Sequence, residues 1–172
     1  MSNKVAKFHK VSFEQYLEDV MGDNVDLSEI YLNCIQEQYD NITLPKRSTV
    51  GSAGYDFVSP ISFELNPGYS IKIPTGIKCY IEDDWVLKLY PRSGLGFKYQ
   101  VGLANTVGII DRDYFFAKNE GHIAVKLVNN GEKVLSVNAG DKIVQGVFVP
   151  FGITIDDDAD GERTGGFGST GK

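Results

Sequence analysis

Two short segments carry side chains that suit phosphate chemistry. Asp111 follows the apolar run Gly108-Ile109-Ile110, so its carboxylate would stand at the edge of a buried wall and could take a proton from water. Arg92 precedes Ser93-Gly94. The planar guanidinium fits phosphate oxygens, and the glycine lets backbone approach them closely. Taken alone, the arginine segment is more typical of a surface turn.

Two further polar residues interrupt apolar surroundings. Gln145 lies within Ile143-Val144-Gln145-Gly146-Val147, and a polar side chain in a buried strand needs a specific partner. Asp56 follows Gly54-Tyr55, where it could either face a ligand or finish a turn.

These residues belong to five segments that resemble, in order, the five motifs of the trimeric dUTP pyrophosphatases (dUTPases). The resemblance covers about residues 42–171. The segments are Gly51-Ser52-Ala53-Gly54-Tyr55-Asp56, Pro91-Arg92-Ser93-Gly94-Leu95, Gly108-Ile109-Ile110-Asp111-Arg112-Asp113-Tyr114, Gly140-Asp141-Lys142-Ile143-Val144-Gln145 and Arg163-Thr164-Gly165-Gly166-Phe167-Gly168-Ser169-Thr170-Gly171.

The resemblance implies hydrolysis of dUTP to dUMP and pyrophosphate, with Mg²⁺ assisting the attack of water on the α-phosphorus. Such a reaction limits uracil in DNA and supplies dUMP for thymidylate synthesis. Family sites combine residues from three chains, so the resemblance also implies a homotrimer.

The resemblance assigns a role to each site residue. Asp111 would be the catalytic base, and the Tyr114 ring would lie under the deoxyribose and exclude a 2′-hydroxyl. Asp56 would contact Mg²⁺ through water. The phosphates would be held by Arg92, Ser93, Gly94, Gln145, Arg163, Ser169 and Thr170, with backbone N–H groups of the last segment, including Gly168. Uracil would lie against Asn105 and Ala124, beneath Phe167, and Gly108, Ile109 and Ile110 would also contact the substrate.

Several of these residues could instead have an ordinary structural role. Asp113 is interpreted as a structural partner for an arginine, Tyr114 could be a buried strand aromatic, and Asn105 could be an ordinary turn former. The chain also departs from the family pattern twice. The last segment has one residue fewer between Arg163 and Phe167, and the loop after Tyr114 is five residues longer.

The elements that must position these residues fall into three regions. Residues 1–41 predict a helical hairpin: apolar residues recur at helical spacing from Phe13 to Met21 and from Leu27 to Ile35, with Ser12 and Asp26 as N-caps. Residues 42–155 alternate short Val-, Ile- and Phe-rich runs with turn residues, which predicts an all-β jelly roll or β-sandwich. Residues 156–172 are acidic and then Gly-rich, and predict a mobile arm.

Composition excludes several classes of protein. Residues 1–40 carry three Lys/Arg and eight Asp/Glu, a sum of −5 within the net charge of −6, so the chain lacks the basic surface of a nucleic-acid binder. No apolar stretch is long enough for a membrane span, and we predict no membrane contact. The two cysteines, Cys34 and Cys79, are expected to be reduced thiols of a cytoplasmic protein.

Two other functions stay open. A dCTP deaminase resembles this fold and also binds nucleoside triphosphates, although the Asp111–Tyr114 segment and the Gly-rich arm argue against it. A regulatory binding module would use the acidic hairpin to hold a protein partner. The alternative for the hairpin is that its apolar stripes pack on the neighbouring β surface.

Overall fold

A computed structural model describes residues 3–22, 28–161, 163 and 165. In chain order its elements are β1 (Ala6–Lys10), α1 (Phe13–Met21), α2 (Glu29–Asp40), β2 (Lys46–Arg47), β3 (Tyr55–Val58), β4 (Phe63–Leu65), β5 (Ser70–Ile81), β6 (Trp85–Pro91), α3 (Ser93–Tyr99), β7 (Val101–Leu103), β8 (Gly108–Ile110), a 3₁₀ helix (Arg112–Phe116), β9 (Ile123–Asn129), β10 (Leu135–Val137) and β11 (Lys142–Pro150).

The described strands form two large antiparallel sheets and a small one. The order is β1-β5-β9-β7 in the four-stranded sheet and β2-β3-β11-β6-β8 in the five-stranded sheet, while β10 pairs with β4. Buried side chains of both large sheets join in one apolar core. The predicted all-β sandwich is therefore confirmed.

Alternating apolar residues place one face of each strand in this core. In β9, Ile123, Val125 and Leu127 are buried while Lys126 is exposed. This period of two is what the pleat of a half-buried strand requires.

The first predicted helix is confirmed, and the start of the second was wrong. Ser12 caps α1, where its hydroxyl accepts a hydrogen bond from Gln15 N at 3.1 Å. Helix α2 begins at Glu29 with Ser28, not Asp26, as its N-cap. Ser and Asp are comparable caps, so the sequence alone could not choose between them.

The apolar stripes of both helices pack on the β domain. Tyr16 of α1 and Ile35 of α2 are fully buried, and the Tyr16 ring lies 5.7 Å from that of Tyr39. A bulge in β5 receives them: Gly76 adopts φ +72° there, and a Cβ at this position would meet Ile42 and Tyr16 side chains. The structure therefore favours the packing interpretation of the hairpin over a free docking surface.

A strand that the sequence pattern did not predict precedes these helices. β1 pairs with the end of β5, and Phe8 packs 5.6 Å from the Phe57 ring of the other sheet. Residues 1–41 are therefore not a purely helical extension, because β1 completes the four-stranded sheet. Its sequence Ala-Lys-Phe-His-Lys has too few apolar residues to reveal an alternating pattern.

The described part of the C-terminal segment has no regular structure. Residues 156–161 lie outside helices and strands and are exposed. Among the described residues, no helix is long and apolar enough to cross a membrane. Both cysteines are free thiols, Cys34 exposed and Cys79 buried.

Candidate active site

A cavity of about 330 Å³ opens where the edge strands β7 and β8 of the two large sheets face each other. Four of the predicted substrate-binding residues line it, namely Asn105, Gly108, Ile110 and Ala124. The rest of the wall is apolar apart from two lysines: Leu89, Leu103, Ala104, Val125, Lys72 and Lys126. The size is at the lower end of that of ligand pockets, which begin at about 300 Å³.

Strand β8 divides its residues between this cavity and the outer surface. Gly108 and Ile110 face inward, whereas Ile109 is 48% exposed on the opposite face. A Cβ at Gly108 would approach the Leu89 Cβ to 3.0 Å, so glycine keeps the two strands close. The expected burial of Ile109 is wrong because neighbours in a strand point to opposite faces, and its substrate contact stays a prediction.

Asp111 comes directly after β8, at the start of the 3₁₀ helix. Its side chain is 48% exposed and accepts a hydrogen bond from Arg163 Nη2 at 2.6 Å. The same guanidinium donates from Nε to Asp113 at 2.9 Å. The preferred interpretation of Asp113, a partner for an arginine, agrees with this geometry. Arg163 was predicted at the terminal phosphates, but in this structure it pairs with the candidate base.

Tyr114 is buried on the 3₁₀ helix rather than on a strand. Its hydroxyl donates to the His122 carbonyl at 2.7 Å and accepts from Asn119 Nδ2 at 2.8 Å. Burial raises the pKa of this phenol. One side of the ring faces Arg163, whose Cζ lies 5.7 Å from the ring centroid. The ring is thus fixed from its hydroxyl end.

A separate charged cluster contains Arg92 and Asp56. Asp56 accepts from Arg92 Nη1 at 2.6 Å, from Lys142 Nζ at 2.7 Å and from the Ser48 hydroxyl at 2.8 Å. Burial acts to raise the pKa of Asp56, but the hydrogen bonds from Lys142 and Ser48 and the charge of Arg92 hold it below its usual value. Lys142 was not predicted as a site residue, although it stands three positions before Gln145 in the fourth segment.

A second cavity, of about 520 Å³, adjoins this cluster. Arg92, Gly94, Lys98 and Lys142 line it, so cationic groups border this space. Ser93 and Gly94 begin the short helix α3 and are exposed. None of its lining residues also lines the cavity at Asn105. Within one chain, Asn105 and Ala124 of the predicted uracil site therefore line a different cavity from Arg92 and Gly94, two of the predicted phosphate residues.

Gln145 lies on β11, which pairs with β3 on one side and with β6 on the other. It is opposite Asp56 of β3 and Tyr90 of β6. A Cβ at Gly54 would come within 2.7 Å of Gln145 Oε1, so only glycine leaves the amide its room. Gln145 is half-buried, and its expected phosphate contact stays a prediction.

The described residues do not form a metal centre by themselves. They contain no group of three His, Cys, Asp or Glu side chains that could hold an ion. Asp56 Oδ2 already accepts from Lys142 and Ser48, while Oδ1 accepts only from Arg92. That arrangement fits the predicted contact of Asp56 through water, since a carboxylate oxygen can accept a second hydrogen bond. It does not fit direct coordination.

Part of the predicted site lies outside the described residues. These positions are Phe167, Gly168, Ser169 and Thr170, and their roles stay predictions.

Known proteins resemble this chain over most of its length. The family model for dUTPase matches residues 40–171. A deoxyuridine 5′-triphosphate nucleotidohydrolase of Lactococcus lactis is 43% identical over 133 residues, which span 76% of this chain and 89% of that protein. The enzyme of the same name from Haemophilus influenzae is 42% identical over 137 residues, 75% of this chain and 87% of that protein. The crystal structure of a dUTPase from Streptococcus mutans superposes with a TM-score of 0.58 at 41% identity, covering 64% of this chain and 88% of that one.

Proposed function

The chain belongs to the dUTPase family, and we propose that it hydrolyses dUTP to dUMP and pyrophosphate by attack of water on the α-phosphorus. One observation carries the proposal: Gly108 and Ile110 line the cavity between the sheets, and Asp111 is the next residue along the same chain. A nucleobase bound in that cavity would bring the attached sugar and the innermost phosphate toward the Asp111 carboxylate.

The cavity supports recognition of uracil by shape and by few polar groups. The Asn105 amide offers both a donor and an acceptor, as the edge of a uracil ring requires. Ala124 and Gly108 are small, so a larger side chain at either place would reduce the space for the ring. An apolar wall excludes an added methyl group only modestly, so the polar partners must supply most of the selectivity.

Asp111 is the proposed base. Its exposed carboxylate would accept a proton from water as that water attacks phosphorus, and pyrophosphate would leave. Arg163 now pairs with this carboxylate. Phosphate oxygens would compete for the guanidinium, so we propose that substrate draws Arg163 away and frees Asp111 for its proton.

The charged cluster would hold the phosphates. Arg92 offers a planar donor fork, Lys142 adds a second cation, and the Gln145 amide can donate as well. Ser93 and Gly94 would contribute a hydroxyl and close backbone approach. Bound Mg²⁺ would neutralise charge on the phosphate oxygens. Asp56 would contact the ion through water, which its remaining acceptor capacity allows.

We further propose a homotrimer. The separation of the two cavities within one protomer supports this. Residues of neighbouring copies would be needed to form one site that binds both the nucleobase and the phosphates. The arm at residues 156–172 would then close over the substrate, with Phe167 on the uracil ring. Supply of dUMP for thymidylate synthesis and a cytoplasmic location remain part of the proposal. A protein partner for the helices finds no support in their buried apolar stripes.

The test is pyrophosphate release by the purified protein from dUTP, dCTP, dTTP and UTP. We expect rapid release from dUTP alone. Comparable cleavage of dCTP or dTTP would contradict the proposed specificity. Ammonia release from dCTP would instead indicate a deaminase.

A further inference from the structure

The N-terminal region, which lies outside the resemblance to the family, contacts the lengthened loop after Tyr114. Helix α1 belongs to the N-terminal extension, and residues 115–120 form the lengthened loop after Tyr114. At the start of α1, the Ser12 backbone N–H and hydroxyl donate to the Glu120 carboxylate at 3.0 and 2.5 Å. Lys78 of β5 adds an ion pair with Glu120 at 2.9 Å. The loop thus holds the first turn of the helix.

A second contact joins the last turn of α1 to His122. The His122 imidazole is 2% exposed, and its Nδ1 lies 2.5 Å from Asp19 Oδ2. Its Nε2 accepts a hydrogen bond from the Gly76 N–H at 2.7 Å. Because Nε2 accepts, the ring proton is on Nδ1 and is donated to Asp19. The Asp19 carboxylate therefore fixes both the tautomer and the orientation of a buried ring.

His122 leads directly to Tyr114. The His122 carbonyl accepts the Tyr114 hydroxyl, and Asn119 of the loop donates to the same hydroxyl. Gly121 packs so closely that a Cβ there would lie 2.5 Å from the Tyr114 carbonyl oxygen. The His122 carbonyl and the Asn119 amide therefore belong to the same segment, residues 119–122, that contacts α1 and its N-cap.

We propose that Asp19 is a positioning residue, which sets the Tyr114 ring through His122 and so contributes to rejection of a ribose 2′-hydroxyl. This inference rests on the proposed function, in which Tyr114 lies under the sugar. Without the Asp19 carboxylate, the Nδ1–H of a buried ring loses its acceptor. The ring must then move to find another partner, and the carbonyl that holds Tyr114 moves with its residue.

Selectivity is the informative readout. The ratio of kcat/KM for dUTP to that for UTP does not depend on the fraction of enzyme that is folded, so a purely structural loss leaves it unchanged. We expect Asp19→Ala to lower this ratio about tenfold, because small displacements of a positioning group cost one to two orders of magnitude. Asp19→Asn keeps an acceptor oxygen and should restore most of the ratio.

A matched control lies on the same helix. Glu18 is exposed, and Glu18→Ala should leave the ratio at the wild-type value. If Asp19→Ala does not fold, Glu120→Ala loosens the same helix at its other end and should lower the ratio about threefold. A wild-type ratio in the folded Asp19→Ala or Glu120→Ala variant would overturn the proposal.

Hydrogen–deuterium exchange separates this proposal from the enzymatic one. Asp19→Ala should speed amide exchange across residues 112–122 whether or not dUTP is a substrate. Unchanged exchange there would overturn the positioning role. A wild-type protein that releases no pyrophosphate from dUTP would refute the proposed function, and one that cleaves dUTP and UTP alike would refute the selectivity role.

Discussion

The two cavities of the candidate site are built in opposite ways. The cavity at Asn105 and Ala124 lies between sheet edges and is walled largely by apolar strand residues. The cavity at Arg92 and Lys142 lies beside strand ends and is bordered by cations that Asp56 holds in place. In the proposed function, the first would select the nucleobase and the second would attract phosphate by charge. Substitutions in the second cavity should therefore weaken the binding of all nucleoside triphosphates alike. Substitutions in the first cavity should change which nucleobase is preferred.

Asp111 directly follows β8, which lines the apolar cavity. It should act in the chemical step rather than in binding, and its substitution should have the largest effect on turnover. We expect Asp111→Asn to lower kcat about a thousandfold, since a general base contributes about 10²–10⁴. The Kd for a non-hydrolysable dUTP analogue, measured by calorimetry, should change only a few-fold. Asp113→Asn is the matched control and should retain most turnover. An Asp111→Asn enzyme of near wild-type kcat would exclude this residue as the base.

The charged cavity can be tested by removing its guanidinium. Arg92→Ala should lower kcat/KM for dUTP about a hundredfold, because a charge-assisted phosphate contact is lost, with the same factor for any slow substrate. Arg112→Ala serves as control, since Arg112 forms a 2.9 Å ion pair with Asp83 on the surface, with side chains 46% and 80% exposed. Steady-state kinetics on several nucleotides measures both variants. A base-dependent loss in Arg92→Ala would break the contrast between the cavities.

The apolar cavity can be tested by adding volume. Ala124→Val should raise the KM for dUTP about tenfold, because two added methyl groups occupy space needed by the ring, while kcat changes less. Ala139→Val, at an exposed position, is the matched control. Equal kinetics for Ala124→Val and wild type would mean that this cavity does not bind the base.

The smallest expected effect concerns the contribution of Glu120, in the loop after Tyr114, to the free energy of unfolding. Hydrogen bonds from Ser12 and the ion pair with Lys78 overcome the burial that would raise the pKa of Glu120, and lower it from 4.5 to about 2. Because the folded pKa lies below the unfolded one, the stabilisation is present above pH 4.5 and disappears as the pH falls toward 2. Glu120→Gln should therefore reduce the free energy of unfolding by about 1–2 kcal/mol at pH 7.

That loss should shrink steadily in denaturant titrations between pH 4.5 and 2. A difference that stays constant across this range would mean that the carboxylate charge is not the source of the stability.

The sequence predicted the parts of the molecule that depend on local pattern. Helix α1 begins where Ser12 and the apolar spacing place it, and the strands follow their alternation. The cavity residues Asn105, Gly108, Ile110 and Ala124 were assigned by resemblance to a family, and the fold brings them together.

Contacts between distant segments escaped prediction. The pairing of Arg163 with Asp111 spans 52 residues, and that of His122 with Asp19 spans 103. No periodicity encodes such pairs. Strand β1 was missed because its pairing with β5 and the packing of Phe8 stabilise it, rather than its own alternation. The exposure of Ile109 was not foreseen because a motif does not state which face of a strand each residue occupies.

The most direct test of the central claim is the destination of the attacking oxygen. When the enzyme turns over dUTP in H₂¹⁸O, water attack at the α-phosphorus would place one ¹⁸O in dUMP and none in pyrophosphate, as read by mass spectrometry. Asp111→Asn should slow the appearance of that label in proportion to its loss of kcat. Label in pyrophosphate would show attack at the β-phosphorus and contradict the account.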